Sequence, residues 1–177
     1  MNLLATATIQ SYVENALRIR EQANNTFLAL GKTSPWENES MPPVAEEDVT
    51  DLQELVGFKR MDNVSLCRPV HEGEGTSYPK VSYKGTTWAL IPDGEAHNEG
   101  AYHIYFTCRV DENDLPSGEY RQVGVYTNIE SDKDILLPDD SNLEDRTLFF
   151  YDNRERFNRT DRVTVTESFI INTRGAE

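Results

Sequence analysis

Residues 27–60, FLALGKTSPWENESMPPVAEEDVTDLQELVGFKR, restrict the fold more than any other stretch of the chain. Pro35, Pro42 and Pro43 each lock φ at about −65° and remove a backbone donor. Ser34, Met41 and Pro42 each precede a proline, which pushes them toward extended backbone. The part around these prolines is therefore predicted to be a stiff connection that is neither helix nor sheet. Trp36 sits in its middle, and burying such a side chain removes about 150–250 Å² from water. Two placements follow: Trp36 staples the connection onto its own domain, or it fills a pocket on a partner.

Helical spacing brackets this connection. Over residues 8–23, Ile9, Tyr12, Val13, Ala16, Leu17 and Ala23 recur at intervals of three and four, and Glu14 pairs with Arg18 at i,i+4. The pattern predicts an amphipathic N-terminal helix whose apolar stripe is covered by the domain or by another subunit. A second, short helix is predicted over residues 46–56. Glu46, Glu47 and Asp48 suit the positive end of its dipole, Val49, Leu52, Leu55 and Val56 make one stripe, and Gly57 follows as a C-cap.

Beyond Phe58 the period falls to two. Val64, Leu66 and Val70 alternate, Val81 and Tyr83 lead through a Lys84-Gly85 turn to Trp88 and Leu90, and Tyr102, Ile104, Phe106, Cys108 and Val110 point one way. Val123 with Val125, Leu148 with Phe150, and Val163, Val165, Glu167, Phe169 and Ile171 continue the series. Pro, Gly, Asp and Asn clusters separate these runs. The reading is a mostly β (α+β) chain: an antiparallel β-sandwich or barrel-like core with two helices. It divides into residues 1–60, holding the helices and the Pro/Trp-anchored connection, and a β-rich domain over residues 61–177. Long loops are expected at 72–79, 92–100, 111–118 and 128–144, the last a candidate contact surface.

Charge narrows the partners. Seventeen Lys and Arg against 31 Asp and Glu leave a formal net charge of −14, which repels phosphate backbones and anionic lipid, so neither nucleic acid nor a membrane is expected as a partner. A mean hydropathy of −0.63 suggests a thin core or surfaces completed by neighbouring chains. The first residues carry neither a cationic start nor an apolar run, so no secretory signal is read and the chain is expected to be made in the cytosol. Cys67 and Cys108 fall in alternating runs and read as small buried apolar residues.

The sequence carries no complete catalytic or metal-binding motif. His71, His97 and His103 lack zinc-site spacing, Gly73-Glu74-Gly75 and Gly31-Lys32-Thr33 are incomplete as phosphate loops, and residues 111–118 depart from a calcium loop. No metal, cofactor or catalytic residue is assigned. A small hydrolase built from the acidic loops would need converging carboxylates. Arg154, Arg156, Arg159 and Arg162 alternate with Asp152, Glu155 and Asp161, a mixture that suits ion pairs within a subunit or between subunits.

Taken in order, Gly31-Lys32-Thr33-Ser34-Pro35-Trp36, Met41-Pro42-Pro43, residues 55–60 (LVGFKR), residues 120–127 (YRQVGVYT) and Leu136-Leu137-Pro138 resemble a baseplate wedge protein family of contractile-tailed bacteriophages. The resemblance covers about a third of the chain, in pieces. It implies a structural, non-enzymatic role in the virion's tail baseplate, linking the inner baseplate to peripheral parts. It also implies β-rich cores in multiple copies around a symmetric platform, other baseplate and tail proteins as partners, and assembly in the host cytoplasm. Matched anchors would be Trp36, Pro42, Pro43, Lys59 and Arg60, with Tyr120, Arg121 and Tyr126 on a matched strand; Arg154 and Arg156 join them as contact residues from the charged strip. The rival expectation, from the β-rich pattern and eight tyrosines, is a carbohydrate-binding or receptor-binding β-sandwich module of a phage tail.

Overall fold

The computed structural model describes residues 4–75, 77–160 and 162–174. Readings that touch residues 1–3, Thr76 or Asp161 lie outside the described residues. In chain order the elements are α1 (Ile9–Glu21), β1 (Phe27–Gly31), β2 (Gly57–Arg60), β3 (Asn63–Pro69), β4 (Lys80–Tyr83) and β5 (Thr86–Ile91). There follow α2 (Ala96–Glu99), β6 (His103–Val110), β7 (Gly118–Thr127), β8 (Ile135–Leu136), β9 (Thr147–Arg159) and β10 (Val165–Asn172). The fold is mostly β, with two antiparallel sheets, an N-terminal helix and a second short one, as the sequence pattern predicts.

The chain forms two compact units, each discontinuous in sequence. The first takes residues up to Ala23, then Asn63–Thr107, then the chain from Ser168 onward; the second takes Asn24–Asp62 and Cys108–Glu167.

One sheet has the order β10-β6-β3-β5-β4; β3, β4 and β5 belong wholly to the first unit, while β6 and β10 are divided between the two. The alternation of β6 is borne out: Ile104, Phe106, Cys108 and Val110 are buried and the residues between them are not. Lys84 and Gly85 both have positive φ, 47° and 80°, the signature of a two-residue I′ turn, and the register Tyr83↔Thr86 closes the β4–β5 hairpin around them. Helix α1 begins where the Thr8 hydroxyl accepts the Ser11 N–H, and it buries Val13 and Ala16. The Thr173 hydroxyl reaches the carbonyl oxygens of Tyr12 at 2.9 Å and Tyr102 at 2.8 Å, tying the residue after β10 to this helix. The predicted loop at 92–100 holds a 3₁₀ turn and α2, so the short helix is here.

The second unit's sheet runs β8-β2-β1-β7-β9. Its centre, β1, was not anticipated: Phe27, Leu28, Ala29, Leu30 and Gly31 are all buried, since both faces of this strand are covered and its apolar residues run without alternation. The core gathers Phe27, Ala29, Leu52, Phe58, Tyr126, Ile129, Leu136 and Leu143, with the Phe58 and Tyr126 rings edge to face at 5.2 Å.

The helix expected over residues 46–56 does not form; that stretch is turns and extended chain. Its donors go elsewhere. Leu52 N–H donates to the Tyr126 hydroxyl at 2.8 Å, Gln53 N–H to Gln122 Oε1 at 2.8 Å, and Val56 N–H to the Leu30 carbonyl at 2.8 Å. Glu54, at a φ of 47°, breaks any helical run. Good helical spacing lost to tertiary bonds that seat Leu52 in the core. Residues 32–56 thus form one long strap, and around the prolines it is neither helix nor sheet, as expected.

Candidate functional site

The strap returns to the sheet at a series of polar anchors, and these are the sequence-selected residues. Arg121, on β7, is 1% exposed. Its Nε lies 2.9 Å from both oxygens of Glu39, its Nη2 2.5 Å from Glu39 Oε1 and 3.1 Å from Glu119, and its Nη1 donates to the Thr33 carbonyl at 2.9 Å. The hydrogen bonds from Arg121, with a further one from the Trp36 N–H, hold the Glu39 carboxyl below the usual carboxylate range. A buried guanidinium needs such a set of acceptors, and the strap supplies them.

Trp36 is 9% exposed and its indole N–H donates to the Arg154 carbonyl of β9 at 2.8 Å, while Lys32 Nζ lies 5.0 Å from the ring centroid. This is the staple placement. Beside it, Ser34 donates its N–H and hydroxyl to Glu54 Oε2 at 3.1 and 2.8 Å, which lowers the Glu54 pKa. Gly31 has no room for a side chain, since a Cβ there would stand 2.6 Å from the Gln53 carbonyl oxygen.

The other selected residues also find partners in this unit. Lys59 Nζ pairs with Asp114 at 2.6 Å and donates to the Arg109 carbonyl; burial pulls the ammonium down, but the Asp114 carboxylate outweighs it and leaves Lys59 raised. Arg60 lies 4.7 Å from the Phe27 ring centroid and binds Asp134 at 2.9 Å and the carbonyls of Asn24, Ser131 and Lys133. The 128–144 loop is therefore fastened at this arginine. Tyr126 donates to Asp51, and burial pushes its phenol up; Tyr120 is buried against Phe157, with ring centroids 5.1 Å apart. Arg154 grips Glu167 at 2.8 Å and Asp152 at 3.0 Å. Arg156 is 60% exposed and reaches Glu119 at 3.4 Å. Pro42 is half-buried, and Pro43 is exposed with its carbonyl accepting from Asn153 Nδ2 at 3.0 Å.

Two features escaped sequence reading. Arg159, fully buried, donates to the carbonyls of Asp111, Glu112, Leu115 and Pro116, and so folds the acidic loop around a cation. Only its position in an arginine-rich strip hinted at it. Met41 and Val44, flanking the proline pair, are 72% and 86% exposed, which apolar side chains in a stiff segment give no local sign of.

Both cysteines are buried, and two of the three histidines are held by packing or hydrogen bonds. Among the described residues no cluster of three or more His, Cys, Asp or Glu could hold a metal ion. Burial pushes both thiols, Cys67 and Cys108, up to about 12. His103 lies between Trp88 and Tyr102, and burial lowers its pKa; His97 bonds Gln10 and Glu14. Among the described residues, no helix is long and apolar enough to cross a membrane. What distinguishes the second unit is a strap held to its sheet by Arg121, Trp36 and Tyr126.

A family model described as baseplate wedge 3 tail fiber network component matches residues 4–173. Virion protein 3 of Enterococcus phage phiEF24C is 38% identical over 172 residues, covering 95% of this chain and 94% of that protein.

Proposed function

Because this chain belongs to the baseplate wedge 3 tail fiber network component family, and so is a structural phage protein of the virion's tail baseplate, we propose that it acts by protein–protein assembly alone. It links the inner baseplate to peripheral parts, in several copies around a symmetric platform, with other baseplate and tail proteins as its partners and no bond made or broken. The observation that supports this reading is the fastening of the strap. Buried Arg121 on Glu39, Trp36 on the Arg154 carbonyl and Tyr126 on Asp51 hold some twenty-five residues of irregular chain in one conformation, which is what a repeated contact surface requires. On the same reading Pro42, Pro43, Lys59, Arg60 and Arg156 contribute to contacts, while Trp36, Tyr120, Arg121, Tyr126 and Arg154 hold the surface that makes them.

Phage particles grown without this chain test the proposal. They are expected to keep an inner baseplate and to lack peripheral parts when imaged by electron microscopy. Particles with a complete periphery would overturn the linking role. The rival glycan-binding reading calls for exposed aromatics lining one groove; among the described residues the exposed large hydrophobics are Leu4, Ile9, Met41, Val44, Leu137, Phe149 and Phe157.

A further inference from the structure

We propose that Met41-Pro42-Pro43-Val44 is a rigid apolar prong that inserts into an apolar pocket rimmed by Lys and Arg on a different protein of the virion. The inference rests on the assembly reading above and names the chemistry of one partner.

Three observations carry it. The first is exposure: Met41 and Val44 stand in solvent on either side of two prolines, four consecutive apolar residues in a chain whose exposed large hydrophobics are otherwise mostly single. Isolated exposed apolar residues need no explanation, but a contiguous group marks a contact.

The second is rigidity. The prong's base is tied by the Met41 N–H to the Asn38 carbonyl at 3.1 Å and the Ser40 N–H to Asn38 Oδ1 at 3.1 Å. Its far side is tied by Asn153 to the Pro43 carbonyl, and by the Tyr151 hydroxyl, which receives the Glu46 N–H at 2.7 Å and donates to the Glu46 carbonyl at 3.2 Å. Prolines fix what remains. A pre-ordered extended segment loses little entropy on docking, which is how proline-rich ligands bind aromatic-lined grooves.

The third is charge. Glu37, Glu46, Glu47 and Asp48 flank the prong, are exposed, and form no ion pair among the described residues. They would meet a cationic rim favourably and repel an acidic one. A second copy of this chain carries a net charge of −14 and is disfavoured as the source of a cationic rim, which points to another protein.

The test uses intact particles. Photoreactive benzoylphenylalanine is placed at Val44 in the full-length chain, the particles are irradiated, and the adduct peptide is identified by mass spectrometry. The expected product joins this chain to a different virion protein at an apolar or aromatic peptide flanked by Lys or Arg. The triple variant Glu46→Lys, Glu47→Lys, Asp48→Lys should lower its yield about tenfold. Separately, Met41→Asp with Val44→Asp should cut incorporation about tenfold while leaving the denaturation midpoint of the purified chain unchanged, since both side chains are exposed. Incorporation of that double variant at the normal level would overturn the prong. So would a chain present in particles without a Val44 adduct, or an adduct to a second copy or to an acidic peptide; the assembly reading would survive each of these. A chain absent from particles altogether would end both.

Discussion

The two units each bury an arginine between two glutamates, yet the arginines do different work. In the first unit Arg68, at the end of β3, binds Glu74 and Glu99 at 2.6 and 2.7 Å, and Glu74 is only six residues away. It clamps a loop next to its own strand. In the second unit Arg121 binds Glu39, 82 residues away in sequence, and so closes the strap over the sheet. The difference teaches where each unit's order comes from. The first is built on alternating strands and local turns; the second depends on long-range bonds between irregular chain and sheet, and these can be removed one at a time.

The largest effect should come from cutting the strap's apolar staple. Trp36→Ala removes a buried indole and its bond to Arg154, and is expected to destabilise the chain by about 3–5 kcal/mol, read from chemical denaturation. A glutamate-specific protease should then cut the strap, between Glu37 and Glu54, before it cuts at Glu72 or Glu74. A variant that keeps wild-type stability would mean that the strap is held without its tryptophan, and the contrast between the units would fail.

Gly31→Ala probes the same closure from the backbone. The new methyl would meet the Gln53 carbonyl oxygen, which already accepts the Lys32 N–H at 2.6 Å. A cost of about 1–3 kcal/mol is expected from forcing the strap outward. Gly85→Ala in the β4–β5 turn is the matched control, because nothing stands within 4 Å of a Cβ there and the penalty comes only from the positive φ.

This contrast also explains what was legible in the sequence. β6 could be read because one of its faces is buried and the period-two pattern survives in the residues. β1 could not, because a strand buried on both faces leaves a short apolar run that carries no period. Residues 46–56 have helical spacing and acidic first-turn residues, and were misread since the bonds that decide them come from Tyr126, Gln122 and Leu30. Proline chemistry, by contrast, is local, and the stiff irregular connection was correctly anticipated. Of the candidate site, the anchors were legible as residue types: tryptophan, arginine and tyrosine are residues that demand partners. Which surface they leave outside was not, since the exposure of Met41 and Val44 follows from where the strap is fastened.

Acid should act on the first unit's clamp in a defined window. Hydrogen bonds from Arg68, then from the His71 N–H, lower the Glu74 carboxyl from an ordinary 4.5 to about 2. A depressed carboxylate contributes stability that is present above its unfolded pKa and is lost as pH falls through the folded one, here between roughly 4.5 and 2. Hydrogen exchange over β3 and the loop after it should therefore quicken as pH drops through that range, after correction for the intrinsic rate. Glu74→Gln should start faster at neutral pH and change less. Equal pH slopes in the two proteins would show that the clamp is not what orders this loop.

The smallest effect is expected at Arg156. It shares the charged strip of β9 with Arg154 and looks equivalent in sequence, but it is mostly solvent-exposed and its ion pair with Glu119 spans 3.4 Å. Exposed pairs of that kind are worth about 0–1 kcal/mol. Arg156→Ala should thus move the denaturation midpoint hardly at all, whereas Arg154→Ala removes the guanidinium nitrogen that bonds both oxygens of Glu167, whose own side chain is nearly buried. Stability therefore separates two arginines that share one motif. If Arg156→Ala nevertheless weakens incorporation into particles, its role lies on a partner's surface, and the strip combines one arginine that fastens the second unit with another that it presents.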